Sequence, residues 1–247
     1  MYVRTGTPAF DELIPRISRF LEQDLLELNI DGEKIRGYRS PDARSVWIRN
    51  YSDMMRALRY TETDLISVVK HFADNQARNG RIFDYFTTFP EKQPCERENW
   101  TKYVRTPVEA DTEFRFIKAA WLAWQATGDD TFIRNLLPSF ERALAFVMEG
   151  RYFDREKYLF RRPYTIDTWD FAYTAGRHDW LQFQIDENTF WGYFHGDNSG
   201  YYEAFHYMSH WYSMFGDKVR SALWRDRALR LRKSLNTHCF NGSFYTH

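Results

Sequence analysis

Glu109-Ala110-Asp111-Thr112-Glu113-Phe114 opens a helix, and Gly128-Asp129-Asp130 closes it and turns the chain into the next one. Acidic residues gather where the positive end of a helix dipole favours them. Phe114, Ile117, Ala120, Trp121 and Trp124 then recur at helical spacing. Gly128 is the expected stop. Asp130 or Thr131 starts the return helix, whose apolar set is Phe132, Leu136, Leu137, Phe140, Leu144 and Phe146, and Gly150 ends it. Two helices joined by a tight turn are the unit from which the rest of the chain is read.

Downstream, Tyr152 to Phe160 reads as a short hairpin around Asp154 to Lys157. An irregular region then runs to residue 199. From Ser199 or Gly200 a helix runs through Tyr201, Phe205, Met208, Trp211, Tyr212 and Phe215. Gly216-Asp217 turns it into a last helix, Val219 to His238, with Leu223, Ala228, Leu229, Leu231 and Leu235 on its apolar side. The Arg and Lys residues between Arg220 and Lys233 are expected on its wet face. Upstream, residues 9 to 28 read as one amphipathic helix, with Pro15 marking a kink or a start nearer Leu13. Asp31-Gly32 is a turn, and Ile35 to Tyr38 a short strand. Asn50 or Ser52 is expected to cap a long helix ending near Asn79-Gly80. Pro90, Pro94 and Pro107 make 81 to 108 a long irregular connector, of a kind often functional. Tight turns alternating with long loops predict a mainly α fold, helical hairpins set in a toroid with the loops at one rim.

The 247 residues suffice for one large domain, residues 1–247. The formal net charge of zero favours neither nucleic acid nor an anionic membrane as partner. No run of 18 apolar residues occurs. The start Met1 to Pro8 lacks an apolar signal core, which points to a cytoplasmic protein. Cys95 and Cys239 are expected as free thiols. Aromatic residues make up 19% of the chain, more than a core requires, and predict an aromatic-lined polar cleft as well.

The candidate chemistry lies in Phe160-Arg161-Arg162-Pro163-Tyr164-Thr165-Ile166-Asp167-Thr168-Trp169-Asp170-Phe171. Asp167 and Asp170 stand three residues apart around Trp169. A carboxylic acid can protonate a leaving oxygen, and an aromatic face can stack on a sugar ring. Arg49 carries a fork suited to vicinal hydroxyls. Glu109 and Asp111 follow a long loop, and Trp47, Trp169, Trp180 and Trp191 are candidate platforms. His195, Asp197, His206 and His210 invite a metal reading, but His206 and His210, with Glu203 a turn earlier, do not have the zincin order. No EF-hand spacing, phosphate loop or nucleophile elbow occurs, so no metal or cofactor is predicted.

These segments resemble the six-hairpin glycosidases, the (α/α)6-barrel sugar hydrolases, in particular trehalase-like enzymes, processing α-glucosidases, mannosylglycerate hydrolases and the glucosidase domain of glycogen-debranching enzymes. Trp47-Ile48-Arg49-Asn50 resembles their tryptophan-x-arginine-aspartate segment, which holds the terminal sugar, with Asn50 in place of the aspartate. Asp167-Thr168-Trp169-Asp170-Phe171 resembles the segment whose aspartate after tryptophan is the general acid, with Thr168 in place of glycine. Asn198 to Tyr201 is similar to their hydroxyl-binding helix entry, and Gly242 to Tyr245 to a small strand element. The likeness spans roughly residues 44 to 247.

The resemblance implies an inverting hydrolase of terminal α-linked glucose or a related sugar. Asp170 would be the acid, and Trp47, Arg49, Asn50, Glu109, Asp111, Asp167 and Trp169 would bind substrate, an oligosaccharide or small glycoside. It also implies twelve helices and a base towards the C-terminus. About six or seven helices are read here, so the expectation is the N-terminal or central part of a barrel, completed by further sequence or a second chain. Two other readings stand beside it: a noncatalytic carbohydrate-binding or assembly protein, and a polysaccharide lyase or epimerase on a related toroid.

Overall fold

A computed structural model describes residues 4–39, 45–88, 101–106, 109–163, 185, 187 and 189–246. Its elements, in chain order, are α1 (Pro8–Asp11), α2 (Leu13–Asp24), β1 (Leu25–Ile30), β2 (Glu33–Tyr38), β3 (Ser45–Trp47), α3 (Ile48–Leu58), α4 (Ser67–Asp74), β4 (Tyr85–Thr88) and β5 (Thr101–Val104). They continue with α5 (Thr112–Thr127), α6 (Asp130–Glu149), β6 (Phe153–Asp154), β7 (Leu159–Phe160), β8 (Arg162–Pro163), β9 (Trp191–Gly192), α7 (His195–Met214) and α8 (Lys218–Cys239). The architecture is mainly helical, as the hairpin pattern predicts. Among the described residues no helix is long and apolar enough to cross a membrane.

The α5–α6 hairpin forms where the sequence places it. Gly128 takes the left-handed conformation at φ +67°, and Asp129 caps α6 by accepting from the Phe132 N–H at 2.9 Å. Asp217 caps α8 in the same way, accepting from the Arg220 N–H after Gly216 at φ +85°. Helix α5 packs against α3, α6 and α7, and α7 against α8. Phe116, Phe140 and Trp211 meet where α5, α6 and α7 join, with Phe140 stacked on Trp211 at 5.3 Å. Each of these three is fully buried. Much of the aromatic excess is therefore core.

The N-terminal third departs from expectation. The helix read over 9 to 28 ends at Asp24, and Leu25–Ile30 is a strand. Leu26 and Ile30 bury while Glu27 stays exposed, the period of a half-buried strand. Asp31 and Gly32, at φ +51° and +86°, supply the two left-handed residues of a tight hairpin turn to β2. Phe10, Leu13, Ile17 and Phe20 of the apolar stripe are exposed.

The long helix expected from Asn50 or Ser52 to residue 79 is two helices. The Asp64 carboxylate accepts from the N–H groups of Ile66 and Ser67, which starts α4 afresh. Trp47, not Asn50 or Ser52, is the N-cap of α3. The connector expected at 81 to 108 contains two strands. β4 lies between β3 and β5, with Trp47 opposite Tyr85 and Tyr85 opposite Val104. Its prolines lie outside the described residues. The hairpin at 152 to 160 is present, turned by Asp154, whose carboxylate accepts from the N–H groups of Glu156 and Lys157.

Candidate functional site

Three helices begin beside one another. Arg49 is in the first turn of α3, Asp111 is the N-cap of α5, and Asp197 is in the first turn of α7. The side chains at these starts join into one cluster. Arg49 donates from Nη2 to Asp111 at 2.9 Å and also to Glu109. Arg162, on β8, donates from Nε and Nη2 to both oxygens of Asp197 at 2.6 Å. Arg162 also lies 3.8 Å from Asp111 and 4.0 Å from Glu109. Arg115 reaches the other Asp111 oxygen at 3.4 Å and pairs with Asp53 at 2.7 Å.

Burial divides the labour between the two central acids. The Asp111 carboxyl would be raised by desolvation, but the guanidinium groups of Arg49, Arg162 and Arg115 overcome that and hold it well below the usual carboxylate range. Desolvation and the nearby Asp111 charge push the Glu109 carboxyl up to about 8, against the pull of Arg49 and Arg162. The two acids are thus driven apart, Asp111 towards its ionised form and Glu109 towards its protonated one. Glu109 keeps 8% of its surface open, so this proton is within reach of the rim.

A second ionic layer lies beneath. Arg105, almost fully buried, sits 3.2 Å from Glu113 and 3.5 Å from Asp84. It donates to the backbone carbonyl of Glu109 at 2.8 Å and to that of Ile82 at 3.1 Å. Burial pushes the Glu113 carboxyl up to about 7, with Arg105 pulling the other way. Asp84 accepts from the Thr112 hydroxyl at 2.7 Å and from the Thr106 N–H. The junction carrying Glu109 and Asp111 is thus braced from below. From the α7 side, the Tyr201 hydroxyl donates to the Ala110 carbonyl, and Gly200 faces the Phe114 ring so closely that a Cβ would meet it at 2.4 Å.

Of the predicted binding residues, Arg49, Glu109 and Asp111 come together. Trp47 is half-buried against Tyr85, ring centroids 4.0 Å apart. Asn50 is exposed on the first turn of α3. Asp167, Trp169 and Asp170, with Trp180, lie outside the described residues. Trp191 is half-buried, with Arg161 over its ring at 4.9 Å. The helix entry expected at 199 or 200 begins earlier, at His195, so Asn198 to Tyr201 are helical. Asn198 is buried and clamps both the N–H and the carbonyl of Phe160.

Arg162, Asp197 and Arg105 were not among the predicted site residues. Starting α7 at Gly200 had made Asp197 a loop acid. An acidic residue in the first turn of a helix was the available signal. His206 and His210 lie against Tyr202 and Trp121 rather than each other.

No family model matches this chain, and no curated protein is similar to it. Among solved structures it is similar to alpha-L-rhamnosidase from Dictyoglumus thermophilum, at 15% identity and a TM-score of 0.48 over 83% of this chain. The chain spans about a fifth of the length of that protein, 20%.

Proposed function

We propose that this chain is part of a glycoside hydrolase acting, with inversion, on a terminal α-linked glucose or a related sugar. The observation that carries the reading is the meeting of Glu109 and Asp111 between Arg49 and Arg162, where three helices begin. A sugar ring presents adjacent hydroxyls that both donate and accept. Asp111 accepts from them, Arg49 donates, and the protonated Glu109 does either.

Asp170 is the proposed proton donor, on its resemblance to the family's acid. In an inverting enzyme a second carboxylate, about 6.5–9.5 Å from the acid, activates water on the opposite face of the sugar. In this reading the base comes from outside this chain segment, in further sequence or a second chain.

Turnover of α-linked disaccharides, measured on this chain joined with the further sequence or second chain that supplies the base, and with Asp170→Asn or Glu109→Gln in that assembly, tests this. Asp170→Asn should lower kcat by about 10²–10⁴ with KM little changed, the usual scale of general-acid catalysis. Glu109→Gln should act mainly on KM. Full turnover by Asp170→Asn would remove the acid assignment. Asn50, uncharged and exposed where the resembled enzymes carry an aspartate, favours a second reading as a noncatalytic carbohydrate-binding protein. Sugar-dependent melting without turnover in that complete assembly would select it.

A further inference from the structure

We propose that the valley between α6 and α8 is a second binding site, for an oxyanion – phosphate or carboxylate – carried on an apolar body. The cavity there has a volume of about 510 Å³, within the ~300–1,000 Å³ usual for small-molecule sites. Ala145, Met148 and Glu149 of α6 form one wall. Leu223, Arg227 and Arg230, at helical spacing on α8, form the other. The β6–β7 turn closes one end with Phe153, Arg155 and Tyr158.

Two of the arginines are held in place without using their hydrogen-bonding edges. The Arg230 guanidinium lies over the Tyr158 ring at 4.1 Å, and that of Arg227 over the Trp224 ring at 4.5 Å. Stacking engages the flat face of a guanidinium and leaves its in-plane N–H groups directed outward. None of Arg155, Arg227 and Arg230 forms an ion pair among the described residues. Of the two glutamates lining the valley, Glu141 is already engaged, by the Tyr212 hydroxyl at 2.7 Å and by Arg220 at 3.7 Å. Glu149, with Asp226 beside Arg227 and within electrostatic range of Tyr158, leaves two negative charges near three cations.

The turn that supplies the stacking ring is strained. Tyr158 takes φ +53°, a left-handed conformation uncommon for a residue with a bulky side chain. It is what brings the Tyr158 ring under Arg230 while Leu159 and Phe160 pair with β6. Oriented but unpaired forks match a phosphate or carboxylate. The apolar surface of Met148, Phe153 and Leu223 takes the body of the ligand. Arg227 and Arg230 fall in the stretch that the sequence reading assigns to the wet face of the last helix.

Calorimetric titration of the whole chain with phenyl phosphate, benzoate and inorganic phosphate tests the site. Phenyl phosphate or benzoate should bind saturably at one site, at least tenfold tighter than inorganic phosphate. The Arg227→Gln/Arg230→Gln double variant should weaken this binding at least tenfold. Arg155→Gln, on an exposed turn, should weaken it severalfold, and it serves if the double variant does not fold. Glu109→Gln should leave it unchanged, which separates this site from the sugar site. Absence of saturable binding by both aromatic probes, equal affinity for inorganic phosphate, or unchanged affinity in the arginine variants would overturn the proposal.

Discussion

Glu109 and Asp111 are two residues apart, both buried, and both accept from Arg49, yet they are driven in opposite directions. Three guanidinium groups face Asp111, while Glu109 faces fewer and feels the Asp111 charge. The consequence is a pH dependence that can be assigned. With its pKa near 8 in the folded chain and near 4.5 when unfolded, Glu109 binds more protons folded than unfolded between those values. Its contribution to stability is therefore fully present below about pH 4.5 and is lost as pH rises towards 8. The loss is on the order of a few kcal/mol. Glu113, also raised, acts in the same direction up to about pH 7, so a single variant must isolate Glu109. Denaturant unfolding of Glu109→Gln at pH 5 to 8 should show the variant gaining on the parent as pH rises. A difference that stays constant across this range would mean that Glu109 is already ionised at its lower end. Arg49, Glu109 and Asp111 were legible one by one, because each lies beside a predicted helix start, but their meeting was not, since Arg49 lies 60 and 62 residues from its partners. Arg162 and Arg105 were not, because their partners lie 35 and 8 residues away in directions that no helical or strand period encodes.

At the scale of elements, glycine positions separate two kinds of turn. Gly128 at φ +67° has open space where a side chain would go, so Gly128→Ala incurs only the left-handed conformation, about 1–2 kcal/mol. Gly80 at φ +93° would place a Cβ 2.1 Å from the Arg142 carbonyl oxygen of α6. Gly80→Ala must add overpacking of about 1–3 kcal/mol to the conformational term and should melt well below Gly128→Ala. Equal melting temperatures would mean that the 78–80 turn does not rest on α6. The tight turns at 128–130 and 216–217 were legible because glycine and aspartate state their geometry locally. The break at 59–66 was not, since Leu58 and Leu65 keep helical spacing across it, and only the Asp64 cap reveals a second start. Leu25 and Leu28 satisfied the helical and the strand period alike. Pairing with β2 decided between them.

For the whole molecule, alternating hairpins bring the starts of α3, α5 and α7 to one rim, and the ionic cluster there is built from all three. The mainly helical class was legible from periodicity, and part of the aromatic content, Phe116, Phe140 and Trp211 among it, fills the joint between α5, α6 and α7. The proposed acid, in the stretch from Asp167 to Asp170, lies outside the described residues. The sugar reading therefore stands on the rim itself. Its most direct test is a carbon-13 NMR titration of the Glu109 side-chain carboxyl, assigned by its disappearance in Glu109→Gln, with and without a saturating α-linked glucose disaccharide. The predicted result is a midpoint near 8 in the free chain, displaced when the sugar is added. A midpoint near the ordinary glutamate value, or one that does not move with sugar, would contradict a sugar site at this rim.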